Sequence, residues 1–269
     1  MTMGKLTDLE KIKIIESYQR GVSSNALAKL YLVSPPSILS ILKRRNIDRR
    51  KSKKYTLDIN CFDDMCPNVA YWIGFLLADG NVSDHNVRLE LSNKDRDHLT
   101  KFADFCKSEH PIKNTTKNCS SIRICSTELV RKLNNLGMTK RKTLTVSTPN
   151  KLDVNLLSHF YRGYFDGDGW FTCRNKNGKI INWEIGFSSG SEKMINEIHT
   201  WIQKQLDRKC GYLIHRQRNN GSVYQLTYGG NFLVKAIINV LYNDADTYLN
   251  RKHEKSRTIL DYINLTYQK

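Results

Sequence analysis

The chain has 269 residues, with 43 Lys and Arg against 26 Asp and Glu, for a formal net charge of +17. That length allows one large or two modest domains with real cores, and so strong a positive balance points to a polyanion, nucleic acid first. Seven cysteines fall short of a disulfide scaffold. No apolar run approaches transmembrane length and no signal-peptide core opens the chain, so an intracellular, reduced, non-secreted protein is expected, with no membrane contact.

Residues 5–20 show helical periodicity, with Thr7 and Glu10 spaced as a capping box before Gly21 breaks the run. Ser24 is expected to cap a second helix that carries Ala26, Leu27 and Leu30. Ser34-Pro35 opens a third, a cap followed by Pro at the first helical position, running into Lys43-Arg44-Arg45. Three short helices ending in basic residues outline a helix-turn-helix. The segment from Gly21 to Ser34 resembles the helix-turn-helix of resolvases and transposases. That resemblance places Ser34, Pro36, Ser37, Ser40 and Lys43 toward bases, with Arg44 and Arg45 near phosphates. Residues 49–66 read as a linker, with Arg49, Arg50, Lys51, Lys53 and Lys54 as a charge run lacking apolar period.

From Pro67 an apolar helix runs through Tyr71-Trp72-Ile73-Gly74-Phe75-Leu76-Leu77-Ala78 to Asp79-Gly80. A carboxylate at the negative end of a helix dipole is an odd local choice. After it, Asn86–Ser92 alternates, with Val87, Leu89 and Leu91 on one face and Arg88, Glu90 and Ser92 on the other. Residues 94–108 are helical, strands follow near 111–116 and 120–125, and a helix over 127–136 ends at Gly137.

The pattern then repeats. Residues 152–168 form a second such helix, Tyr161-Arg162-Gly163-Tyr164-Phe165-Asp166-Gly167-Asp168, again ending in Asp-Gly. Asn175-Lys176-Asn177-Gly178 is a turn signal, and Ile181, Trp183, Ile185 and Phe187 alternate with polar residues. A helix near 191–206, strands near 211–217 and 222–228, and helices near 230–241 and 247–264 complete the chain. The period of about ninety residues exceeds that of solenoid repeats, so this is a duplicated α+β domain.

The paired motifs, each followed by the same order of elements, resemble the two-motif LAGLIDADG homing endonucleases over residues 67–269. The resemblance implies a duplicated αββαββα fold with pseudo-two-fold symmetry, a monomer with a pseudo-dimeric core. Its motif helices would pack through Gly74, Ala78, Gly163 and Gly167. The expected organisation is a helix-turn-helix domain at 1–48, a basic linker at 49–66, and repeats at 67–148 and 149–269. The expected partner is double-stranded DNA, with no protein partner required.

The resemblance further implies site-specific, Mg²⁺-dependent double-strand cleavage, with Mn²⁺ as a possible substitute. Asp79 and Asp168 would hold the metal, helped by the Ala78 and Gly167 carbonyls, because divalent ions on two carboxylates can activate water and neutralise phosphate charge. Asp166 is set aside because its counterpart in the first motif is Leu77. Lys142 is favoured over Lys140, and Lys252 over Lys255, as the basic residue beside each site. Asn93 and Ser189 stand where the family has a water-organising residue, without its usual Gln or Lys. Strand faces offer Arg88, Glu90, Ser92, Arg123, Thr172, Arg174, Lys176, Asn182, Glu184, Gln225 and Thr227 to DNA. The face of the strand bearing His215, Arg216 and Arg218 stays open. The alternative function is a non-cleaving DNA-binding regulator or an RNA maturase for intron splicing. No intein signature brackets the motifs, so a free-standing or intron-encoded protein is expected.

Overall fold

The computed structural model describes residues 6–48, 55–176, 178–218 and 221–267. The chain divides into two compact units, 1–54 and 55–269. The charge run from Arg49 to Lys54 lies outside the described residues.

The first unit holds helices α1 (Asp8–Gln19), α2 (Ser24–Leu30) and α3 (Pro35–Arg44). Thr7 and Glu10 form the expected capping box, and Ser34 caps α3 with Pro35 at its first position. The cap of α2 is Ser23 rather than Ser24, its side chain accepting from the Ala26 N–H. With that register Leu27 and Ala28 turn inward against Ile14, Tyr18, Ile38 and Leu42, while Ala26 and Leu30 are exposed.

The second unit is built twice. Its first half runs α4 (Pro67–Asp79), β1 (Gly80–Val82), β2 (Asn86–Ser92), α5 (Arg96–Phe105), β3 (Lys113–Thr116), β4 (Cys119–Cys125) and α6 (Thr127–Asn135). Its second half runs α7 (Leu157–Asp168), β5 (Gly169–Lys176), β6 (Lys179–Ser189), α8 (Glu192–Gln205), β7 (Tyr212–Arg218), β8 (Gly221–Gly229) and α9 (Asn231–Tyr242), and α10 (Asn250–Tyr267) closes it. Each half forms a four-stranded antiparallel sheet, in the orders β1-β2-β4-β3 and β5-β6-β8-β7. Both sheets bury their alternating apolar face, Val87, Leu89, Ile122 and Ile124 in one and Ile185, Phe187, Leu226 and Tyr228 in the other. The side chains of Lys176 and Ile181, and residue Asn177 of the expected turn, lie outside the described residues.

Residues 55–66, expected as part of the linker, instead pack on this unit. Phe62 is buried, and Leu57, Cys61 and Met65 lie against the core. These scattered apolar side chains show neither helical nor strand period, so only the surface they cover reveals their place.

The motif helices cross at contact distance. A Cβ on Gly74 would stand 2.0 Å from the Phe160 carbonyl oxygen, and one on Gly163 would stand 2.0 Å from that of Tyr71. One turn on, a Cβ on Gly167 would stand 2.3 Å from that of Ala78. The obstacles at Gly74 and Gly163 are backbone atoms, which cannot swing aside. Gly163→Ala should therefore lower the stability of the second unit by about 3 kcal/mol, read as a fall in the urea unfolding midpoint. An unchanged midpoint would show that the helices can part without cost.

Candidate active site

Because α4 and α7 cross through their glycines and end one turn later, their terminal carboxylates arrive together. Asp79 Oδ2 lies 3.4 Å from the Cβ position of Gly167, the residue before Asp168. By surface area Asp79 is exposed and Asp168 half-buried. Protein atoms nonetheless crowd both closely enough to disfavour their charged forms. Burial raises the pKa of Asp79, opposed chiefly by the ammonium groups of Lys252 and Lys142. Burial first, then the neighbouring Asp79 carboxylate, pushes Asp168 up to about 6.

The two lysines are buried beside these acids. Lys142 sits in a turn of 3-10 helix, Lys142–Leu144, and its Nζ donates to the Ala78 carbonyl at 3.4 Å. Lys252, in the first turn of α10, donates to three carbonyls at the end of α7: Phe165 at 2.5 Å, Gly169 at 2.6 Å and Gly167 at 3.3 Å. All three of its ammonium protons are engaged, so it works as a clamp on the helix end. Burial lowers both lysines, Lys252 to about 8, against the raising influence of nearby aspartates. Lys140 lies outside this cluster, ion-paired with Asp84. Lys255 is also outside, its ammonium over the Trp183 ring at 4.6 Å.

The segments that carry these lysines are tied to the opposite half. Val146 O accepts from the Ser191 hydroxyl at 2.7 Å, and the Thr148 N–H donates to Glu197 at 2.7 Å. On the other side Lys101 donates to Tyr248 O at 2.9 Å and to Asn250 at 2.6 Å, and Arg251 grips Asp95 with two nitrogens. Asp95 is buried and counts among the charges that raise Asp79.

Asp166, set aside by sequence reasoning, is the most connected acid in the unit. It is buried and accepts from Tyr71 Oη at 2.8 Å, Tyr242 Oη at 2.5 Å and the Leu249 N–H at 2.7 Å. Tyr71 Oη also meets His98 Nε2 at 3.0 Å. With the tyrosine proton given to Asp166, the His98 hydrogen must sit on Nε2, which leaves Nδ1 without a partner, as it is found. Burial lowers His98 to about 3, so it stays neutral. Asp166 thus fixes the chain just before α10, and through it Lys252. Its apolar counterpart Leu77 gave no signal of this, since the partners come from three remote segments.

Asn93 and Ser189, expected as water-organising residues, are both hydrogen-bonded within the protein. Asn93 donates to Lys117 O at 3.3 Å and accepts from the Ser120 hydroxyl at 2.6 Å. Ser189 is buried, accepting from Tyr164 Oη at 2.8 Å and from the Ser191 N–H at 3.0 Å. Strand register turns Ser188 rather than Ser189 toward the polar face, where its hydroxyl donates to Asp168 O at 3.0 Å.

The cross-strand register assembles the remaining positions. Arg88 pairs with Arg123 and Glu90 with Ser121 on the polar face of the first sheet, while Ser92 caps the following turn. On the second sheet, Thr172 pairs with Glu184, Arg174 with Asn182, and Gln225 and Thr227 share that face. Several of these groups pair with each other: Arg88 with Glu90, and Arg174 Nε with Glu184 at 2.6 Å. Arg216 stands opposite Val223 and joins the polar face, whereas His215 is on the other face, stacked on Tyr224 at 4.6 Å. In the first unit, Pro36, Ser40, Lys43 and Arg44 are exposed on α3, Ser37 is half-buried, and the Ser34 hydroxyl is engaged as a helix cap.

Residues 155–236 match the family model described as LAGLIDADG-like domain. The chain carries a LAGLIDADG-like domain. Over both halves it has the fold of solved LAGLIDADG meganucleases. One is I-SmaMI bound to uncleavable DNA with a TTGT central four, at TM-score 0.52 and 14% identity, covering 76% of this chain and 91% of that one. Another is the LAGLIDADG meganuclease I-AabMI bound to uncleaved DNA, at TM-score 0.52 and 16% identity, covering 76% and 92%. A third is I-SmaMI bound to uncleaved DNA in the presence of calcium ions, at TM-score 0.50 and 14% identity, covering 77% and 94%. No curated protein sequence matches.

The donor set at the ends of α4 and α7 suits a hard divalent cation. Among the described residues no cluster of three His, Cys, Asp or Glu side chains could cage an ion. Two carboxylates are present, however, the Asp79 charge disfavouring that of Asp168, and Mg²⁺ commonly completes such a set with water and substrate phosphate. The Ala78 and Gly167 carbonyls already accept from Lys142 and Lys252, which leaves each a second lone pair.

Without a divalent ion, the raised pKa of Asp168 makes its neutral form the better fit to the fold. Its stabilising contribution is complete below the unfolded value, 3.8, and disappears as pH rises through about 6. In EDTA, Asp168→Asn should therefore be more stable than the parent at pH 7, the difference shrinking toward pH 4. Urea midpoints across that range measure it. A difference independent of pH would show that Asp168 is not held at a raised pKa.

Proposed function

We propose that the protein is a site-specific endonuclease that cuts both strands of DNA using divalent metal held by Asp79 and Asp168. One observation carries this reading. Two acid-ended helices, packed glycine to backbone, present paired carboxylates and buried lysines between two sheets with polar faces. The fold's likeness to meganucleases solved on DNA and the charge of +17 support it.

Hydrolysis of a phosphodiester needs an activated water, neutralisation at phosphorus and stabilisation of the leaving oxygen, and Mg²⁺ or Mn²⁺ bound at the two carboxylates supplies these. The chain's own residues do the rest. Lys142 has one long contact to a carbonyl and so keeps protons to offer a phosphate oxygen. Lys252 holds the α7 terminus, and with it the direction of Asp168. Arg123, Arg174, Asn182, Gln225 and Thr227 read or follow the groove, Arg favouring guanine and Asn or Gln adenine. The α3 positions Pro36, Ser37, Ser40, Lys43 and Arg44 lengthen the recognised site. The work is done inside the cell, where DNA is, by a single chain.

A binding-only role, as a DNA-binding regulator or an RNA maturase, has one observation in its favour. Asn93 and Ser189, expected to order the attacking water, are both engaged within the protein. The two readings part in one experiment. A duplex recovered by the full chain from a random pool is placed in a supercoiled plasmid and incubated with Mg²⁺, with Mn²⁺ or with EDTA. The plasmid should become linear with either metal and stay intact in EDTA. Asp79→Asn or Asp168→Asn should slow cutting by more than about 100-fold and still bind. Tight binding by the parent chain with no cleavage in either metal would establish the binding-only role instead.

A further inference from the structure

The two sheets differ at one matched pair of positions beside the carboxylates. In the first half the residue after the Asp-Gly glycine is Asn81, opposite Arg88. In the second half it is Trp170, opposite Gly186. The fold does not demand an aromatic at this place, since Asn occupies it in the first sheet. Nor does it demand a glycine opposite, since Arg occupies that place. Each of the two therefore answers to the other: a Cβ on Gly186 would stand 2.3 Å from Trp170 Cζ2, so the indole lies flat across the gap that glycine leaves.

Trp170 is half-buried and belongs to the polar face, while its neighbour Phe171 turns inward onto Phe165 at 5.0 Å. Across the sheet its row continues through Thr227 to Tyr212, an exposed aromatic. Trp170 lines a cleft of about 510 Å³ together with Arg251, Lys252, Glu254 and Lys255. An aromatic plane on the polar face, two residues from Asp168, suits contact with a base at an unstacked duplex step, and the Lys255 ammonium in the same cleft adds charge for the adjoining phosphate. A half-exposed indole fixed on a glycine seat also loses little freedom on contact.

We propose that Trp170 is a specificity-determining residue of the second half-site, packing against a base of the strand served by Asp168, with Gly186 as the seat that keeps its ring in place. This rests on the DNA-cutting reading above. It predicts that the two half-sites are read differently next to the cut: through polar side chains, Asn81 and Arg88, on one side, and through stacking and base-step shape on the other.

Fluorescence anisotropy of the full chain on the recovered duplex, in Ca²⁺, tests it. Each base pair near the centre is varied in turn. Trp170→Ala and Gly186→Ala, the latter displacing the ring, should each weaken binding about tenfold and flatten the preference at one base pair on the second half-site. Trp170→Phe should retain both to within a few-fold. Should Trp170→Ala fail to fold, 2-aminopurine placed at that base pair decides, its emission being quenched on binding by the parent. If the parent binds and these variants bind and discriminate as it does, or if 2-aminopurine is unaffected at every central position, the inference is overturned alone. If the parent recovers no duplex, the function proposed above fails with it.

Discussion

The contact of Gly74 and Gly163 with opposing backbone carbonyls sets the distance between α4 and α7. Everything in the second unit follows from that distance. Helices that touch through their backbones end side by side, so two carboxylates meet at one place. Burial then raises both pKa values, and the neighbouring Asp79 carboxylate adds to the rise at Asp168. A methyl group at either glycine would separate the helices and the acids together. The close approach also brings the two halves into one apolar core, running from Trp72 and Phe75 on one side to Phe165 and Phe187 on the other.

The duplication is not a symmetric one. Asp166 draws Tyr71, Tyr242 and Leu249 into a buried network that Leu77 cannot copy. Lys252 gives three hydrogen bonds to a helix end, and Lys142 gives one. The first strand of the second sheet has eight residues and that of the first sheet three. Each closing segment crosses to the other half before its chain continues. A lysine's place is thereby tied to both repeats at once.

Much of this was legible in the sequence. The run Asn86–Ser92 alternates cleanly, and its strand has those bounds. The small residues Gly74, Ala78, Gly163 and Gly167 announced a close helix crossing, and the crossing is there. Other features were hidden because their cause is remote. Residues 55–66 carry no period, and their burial comes from surfaces far along the chain. Asp166 looked dispensable because comparison of the two motifs weighs local equivalence, whereas its partners lie on α4, on α9 and before α10. Alternation along β6 already puts Ser188 on the polar face and Ser189 on the buried one, but only the fold brings the Ser188 hydroxyl to Asp168 O.

The sequence by itself determined the repeat, the helices, the strand faces and the acid at each helix end. Those depend on periodicity, capping and small residues, all of which act over a few positions. The resemblance favours Lys142 and Lys252, and tertiary structure showed them buried beside the acids and alone decided which acid carries a network. It also put an indole on a glycine beside Asp168. Those outcomes depend on what two remote segments place against each other, and no local pattern records it.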